Sequence, residues 1–194
     1  MKTQQAKKDK EYKNKNKKQK EEFYYESESE LSETEAGSTL GVDTSEPLLK
    51  EIANTLSSII SKNKESKTSK KENSPFSNGH IPKISLFDYL LRIKKYSEIE
   101  NSTIIISLIY IDRICKRNQI ILTKYNIHRI LFTAILISVK YNEDIIYDNS
   151  FYSKVAGVPA EELISLEKAF LKMIGFELFI SDEIYKKYCD YLNY

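Results

Sequence analysis

Glycine occurs only five times in this 194-residue chain, and histidine and cysteine twice each. The glycines are scattered, so no Gly-rich loop is available to cradle a phosphate. His80 and His128 have no cysteine or acidic cluster at ligand spacing, which removes support for a metal site. With two histidines, no nucleophile–histidine–acid set is assembled, and no catalytic residue is assigned. Glu161, Glu162 and Glu167 share one helical stretch. The first two simply suit a helix N-terminus, where the dipole favours acids. Cys115 and Cys189 lie in half-apolar contexts and are expected to be reduced, packed thiols. No apolar run is long enough for a bilayer, since Lys124 and His128 flank the oiliest stretch on one side and Lys140 on the other. The Lys-rich start has no apolar core and does not read as a secretory signal.

What remains divides into two materials. The first twenty residues carry nine Lys, and residues 21–35 carry seven Glu and no basic residue. Residues 61–79 are a Ser/Lys/Asn/Glu mixture. Such segments bury too little surface to offset the entropy of ordering, so a disordered tail over 1–46 and a linker over 63–80 are expected. Between them Pro47, Leu48, Leu49, Ile52, Leu56, Ile59 and Ile60 recur at spacings of three and four, predicting an amphipathic helix over 47–62. The Lys cluster is compatible with a nuclear address. Ser27 and Ser32, each followed three residues on by Glu30 or Glu35, sit in an acidic setting that phosphorylation could exploit.

From residue 81 onward the chain is apolar, periodic and nearly neutral, with 15 Lys/Arg against 14 Asp/Glu. A nucleic-acid face would need a concentrated positive patch, and none is advertised here. The periodicity predicts an all-α domain. Helices are expected over about 82–96, from behind Asn101 or Ser102 to 117, over 123–141, from 148 or 149 to 156 before Gly157, from Pro159 to Gly175, and over 182–192. In the third of these, apolar residues fall on nearly every side, from Ile127 to Val139. A water-soluble fold holds such a helix only by surrounding it with others. The run then ends abruptly in Lys140-Tyr141-Asn142-Glu143-Asp144, so the wrapped helix presents a charged tip. Lys140 and Glu167 are half-buried candidates for an internal pair, or for a partner's backbone. Asp112, set among isoleucines, needs a basic partner or helix-end donors, and Lys83 is the candidate.

Three motifs resemble the cyclin box: YIDR at 110–113, SVKYNED at 138–144 and LEKAFLKMIGFEL at 166–178. More narrowly, ISLFDYLLRIKKY, the run from LIYIDR to NIHRILFTAILISVKY, and NSFYSKVAGVPAEELISLEKAFL are similar to the P/U-type, phosphate-signalling-like cyclins. The resemblance implies a single box over 81–180, about five helices around a buried central one, followed by a C-terminal helix over 181–194. It implies a non-enzymatic protein that needs no cofactor, works in the nucleus and/or cytoplasm, and binds and activates a cyclin-dependent serine/threonine protein kinase. On this reading Lys140 and Glu167 bind near the kinase's mobile helix, and Tyr141 belongs to the same kinase-binding face. Asp144, with Asp148 as the alternative, pairs with an arginine of its activation loop. The sequence departs from the family where Lys83 stands for the usual Arg and Tyr89 for Trp; there is no Trp anywhere in the chain. Lys lacks the guanidinium fork, so a Lys83–Asp112 pair would be less fixed. The small apolar groove of some cyclins is not reproduced around Pro82–Leu86. Rival readings are a general transcription-factor-like helical adaptor and a cyclin-like scaffold that activates no kinase.

Overall fold

A computed structural model describes residues 45–65, 74–77 and 79–194. Residues 1–44 of the expected tail, with its Lys cluster and Ser27 and Ser32, and half of the expected linker lie outside the described residues. Seven helices and no strand are found among those described: α1 (Glu46–Glu65), α2 (Leu86–Ser97), α3 (Asn101–Asn118), α4 (Ile127–Asn142), α5 (Asn149–Ala156), α6 (Ala160–Ile174) and α7 (Asp182–Leu192). The expected all-α architecture is the one observed.

Local chemistry sets the helix ends. Ser85 starts α2 by accepting from the Asp88 amide at 3.1 Å, while its hydroxyl donates to the Asp88 carboxylate at 2.6 Å. That is why α2 begins at Leu86 and not at the expected Pro82. Asp148 caps α5 in the same way, through the Phe151 amide at 2.8 Å. Gly157 and Gly175 end α5 and α6 at φ 68° and 70°, a left-handed backbone that suits glycine. At Gly175 a Cβ would also meet the Arg117 guanidinium at 2.5 Å, so close approach matters there as well.

The core is built around α4. From Ile130 to Val139 every residue is buried, including Thr133 and Ser138. α3 runs along α4, with α6 and α5 also against it, and α6 packs on α3 and α5. From α2, Tyr89 reaches α4 at Phe132 and His128. α1 lies on α2 and α7, with Leu48, Leu49, Ile52, Ala53, Leu56 and Ile60 buried. Two buried polar groups of α2 tie down the C-terminal end of α5. Tyr89 donates to the Ala156 carbonyl at 3.0 Å and Arg92 to that of Lys154 at 2.8 Å. A cation at a helix C-terminus is the arrangement the dipole favours.

Phe76 was not foreseen. It lies in the expected linker yet is fully buried, edge-on to Phe170 with centroids 6.0 Å apart. Arg129 donates to the neighbouring Ser77 carbonyl at 3.1 Å and to the Glu162 carboxylate. Glu162 therefore does more than suit the start of α6: with Arg129 it forms a largely buried ion pair.

Candidate functional site

Lys140 stands in the last turn of α4, where the wrapped helix surfaces. Its Nζ donates to Glu167 Oε1 at 2.7 Å, to Glu167 Oε2 at 2.9 Å and to Asn149 Oδ1 at 2.9 Å. An ammonium has three N–H donors, and these bonds use them all. The side chains are 29% and 14% exposed, so the pair is shielded but reachable. It pins the end of α4 to the middle of α6 and the start of α5. Glu167 keeps lone pairs that still accept, whereas Lys140 has no donor to spare. The structure thus brings these two residues together as an internal pair.

Beyond Lys140 the character changes within one residue. Tyr141 is exposed, and Ile145, Ile146 and Tyr147 follow it to the surface, Ile145 being 78% exposed. Asp144 is exposed and makes no hydrogen bond or ion pair among the described residues. Asp148, in contrast, is committed to capping α5. Of the two carboxylates singled out from the sequence, only Asp144 is uncommitted. Glu143 turns back, accepting from the Glu100 amide at 3.1 Å and holding the tip against the start of α3.

A second exposed apolar group was missed from the sequence. Phe176 and Phe179, in the connection after α6, are exposed, Phe179 by 75%. Phe176 has φ 58°, directly after Gly175. A left-handed Phe costs about 1 kcal/mol or more, so its position is held by its surroundings. The holding group is Arg113, which donates to the carbonyls of Glu177 at 2.7 Å and Phe179 at 3.0 Å. Arg117 adds a bond to the Ile174 carbonyl at 3.0 Å, and Tyr110 one to that of Leu178 at 2.8 Å. Burial pushes the Tyr110 phenol up to about 12, so it stays a donor at any ordinary pH. Tyr141, Phe176 and Phe179, together with Arg113, Lys116 and Arg117, line an open cleft of about 760 Å³.

The expected pair of Lys83 and Asp112 is not formed. Asp112 accepts from Lys116 at 2.6 Å and from the Tyr188 hydroxyl at 2.9 Å. The reason is geometric. Lys116 is one turn further along α3, where an (i, i+4) pair meets, and Asp112 faces α7 and α1 rather than the segment before α2. Burial first, then the bond to Asp112 and its charge, push the Tyr188 phenol up. The carboxylate is a brace, but it braces the C-terminal helix.

Among the described residues no group of three or more His, Cys, Asp or Glu is placed to hold a metal ion, and no helix is long and apolar enough to cross a membrane. Cys115 and Cys189 are not bridged.

Comparison with known proteins agrees with this architecture. The family model described as Cyclin matches residues 2–178. The chain is 33% identical to Cyclin-U4-3 of Arabidopsis thaliana over 158 residues, covering 78% of this chain and 72% of that protein. It is 40% identical to Cyclin-U2-1 of the same plant over 116 residues, covering 58% of this chain and 51% of the relative. It is 35% identical to PHO85 cyclin-7 of Saccharomyces cerevisiae over 125 residues, covering 58% and 44%. Apart from Cyclin-U4-3, then, the chain spans about half the length of these relatives. The chain belongs to the cyclin family, within its P/U-type branch.

Proposed function

We propose that this chain is the regulatory subunit of a cyclin-dependent serine/threonine protein kinase and that it binds the kinase through the tip of α4. The carrying observation is the exposed strip from Tyr141 to Tyr147, displayed at the end of a fully wrapped helix beside an uncommitted Asp144. Exposed aromatic and aliphatic side chains on a rigid support are what a protein interface uses as anchors. Phe176 extends the same surface. The relatives Cyclin-U4-3 and PHO85 cyclin-7 are both named as cyclins, which supports a cyclin-dependent kinase as the partner class here.

The roles follow from the hydrogen bonds. Lys140, with its donors filled, positions Glu167 and the tip. Glu167 accepts an N–H from the kinase backbone. Asp144 makes a bidentate pair with an arginine of the activation loop. The chain itself supplies no catalytic group. It acts by population shift, binding the active arrangement of the kinase more tightly than the inactive one.

The test is a phosphorylation assay with a panel of purified cyclin-dependent kinases, with and without the full chain. At least one kinase is expected to be stimulated about tenfold or more, which needs about 1.4 kcal/mol of preference for the active state. A kinase captured without stimulation would instead make this a scaffold. No capture of any kinase, with retention on immobilised DNA at physiological salt, would favour the transcription-factor-like adaptor.

A further inference from the structure

Among the described residues, the cleft beside Phe176 and Phe179 holds three cations against two carboxylates, Asp112 and Glu177. Arg113 donates to two backbone carbonyls and meets no carboxylate among the described residues. Arg117 pairs with the exposed Glu177 at 3.1 Å, an ion pair that solvent screens. Lys116, largely exposed, shares Asp112. Around these cations stand Tyr141, Phe176 and Phe179. The surface therefore asks for a ligand that is both acidic and aromatic.

The same chain contains such a segment. Residues 21–35 hold seven Glu and no basic residue, and they include Phe23, Tyr24, Tyr25 and Leu31. We propose that residues 21–35 dock in this cleft, with their glutamates against Arg113, Lys116 and Arg117 and their aromatic cluster against Phe176 and Phe179. Reach is sufficient. Ile59 of α1 and Cys115 of α3 line one groove, so the start of α1 lies roughly 20 Å along the helix axis from the neighbourhood of Lys116. The fifteen residues from Glu30 to Ser45 extend to about 50 Å. Because Tyr141 and Phe176 belong to both surfaces, a docked segment competes with the kinase. That consequence rests on the function proposed above, whereas the docking does not. The device is autoinhibition that a kinase must displace. Ser27 and Ser32 lie inside the segment, so phosphate added there strengthens its hold on the arginines.

The test is zero-length carbodiimide cross-linking of the full chain, followed by mass spectrometry. Amide links from Glu26, Glu28 and Glu30 are expected to fall mainly on Lys116, to fade at high salt, and to drop severalfold in Phe179→Ser, which changes neither cross-linked group. Links spread evenly over Lys186 and Lys187 of α7 and the lysines of residues 1–20, or insensitive to Phe179→Ser, would overturn the docking. In a second arm, Glu26→Gln/Glu28→Gln/Glu30→Gln is expected to raise kinase affinity about two- to tenfold, by freeing the competent state. Unchanged affinity would overturn the competition. A chain that bound no kinase at all would remove the proposed function while the Lys116 links still decided the docking.

Discussion

Residues 127–139 and 140–147 are neighbours in one chain and obey opposite rules. The first stretch is the post of the domain: from Ile130 on, every side chain is buried. The second begins at Lys140, half-shielded, and passes into residues of which Tyr141, Ile145, Ile146 and Tyr147 are all apolar or aromatic and all exposed. Hydrophobicity alone does not separate them, since isoleucine is prominent in both. What separates them is the set of helices that surrounds one and stops short of the other. An apolar residue in the post reports on packing. The same residue in the tip reports on a partner, because a fold has no reason of its own to expose it so fully.

The comparison is broken most severely from the post side. Leu136→Ala is expected to cost about 3 kcal/mol, through lost transfer free energy and the cavity left behind, read as a shift in a denaturant midpoint. Phe76→Ala should cost a similar or slightly smaller amount, although it lies in a segment that reads as linker. A cost near zero would mean that the plug against Phe170 is not part of the folded unit. At the boundary, Glu167→Gln keeps the shape and removes the charge that holds Lys140. With both groups partly exposed, the expected loss is about 1–2 kcal/mol. This refines the obvious charge reversals. Lys140→Glu and Glu167→Lys break an internal pair as well as any interface, so lost kinase binding in either variant is interpretable only beside a measured stability.

The smallest expected effect lies at the foot of the post. His128 is a polar residue at the start of α4, with Nε2 donating to the Ile84 carbonyl at 3.1 Å and Nδ1 buried without a hydrogen-bond partner. Burial lowers its pKa below the ordinary 6.5. The unfolded chain therefore takes up a proton near 6.5 that the folded chain refuses. Stability is complete above that pH and declines as the pH falls through it, by at most about 1.4 kcal/mol per pH unit for one group. Thermal unfolding followed from pH 7.5 down to 5.5 should show the decline, and His128→Gln should flatten this part of the profile.

Much of the fold was legible because periodicity and capping carry it. Six of the helices follow from apolar spacing, with Ser, Asp, Pro or Gly also marking ends of α2, α5 and α6, and the seventh, α1, follows from one apolar island in a polar region. The pair of Lys140 and Glu167 was legible as two half-buried opposite charges on neighbouring helices. Other features depend on three-dimensional placement that spacing does not encode. A single Phe76 gives no period, so its burial was invisible. Lys83 was offered to Asp112 from the start of the expected first helix of the box, but which way Asp112 faces is decided by α7, which packs there. The exposure of Phe176 and Phe179 needed the turn at Gly175 and the clamp by Arg113. The commitment of Asp148 to a cap, leaving Asp144 uncommitted, needed the start of α5 placed to the residue.

The most direct test of the tip as the working surface separates binding from folding. In Tyr141→Asp/Ile145→Asp both changes fall on exposed side chains that hold nothing in the core. The melting temperature should stay within about 1–2 °C of the parent, as surface substitutions usually do. Affinity for the cyclin-dependent kinase should fall by roughly 30-fold or more, the loss expected when interface anchors are removed. A variant that melts like the parent and binds the kinase equally well would contradict the assignment of this face.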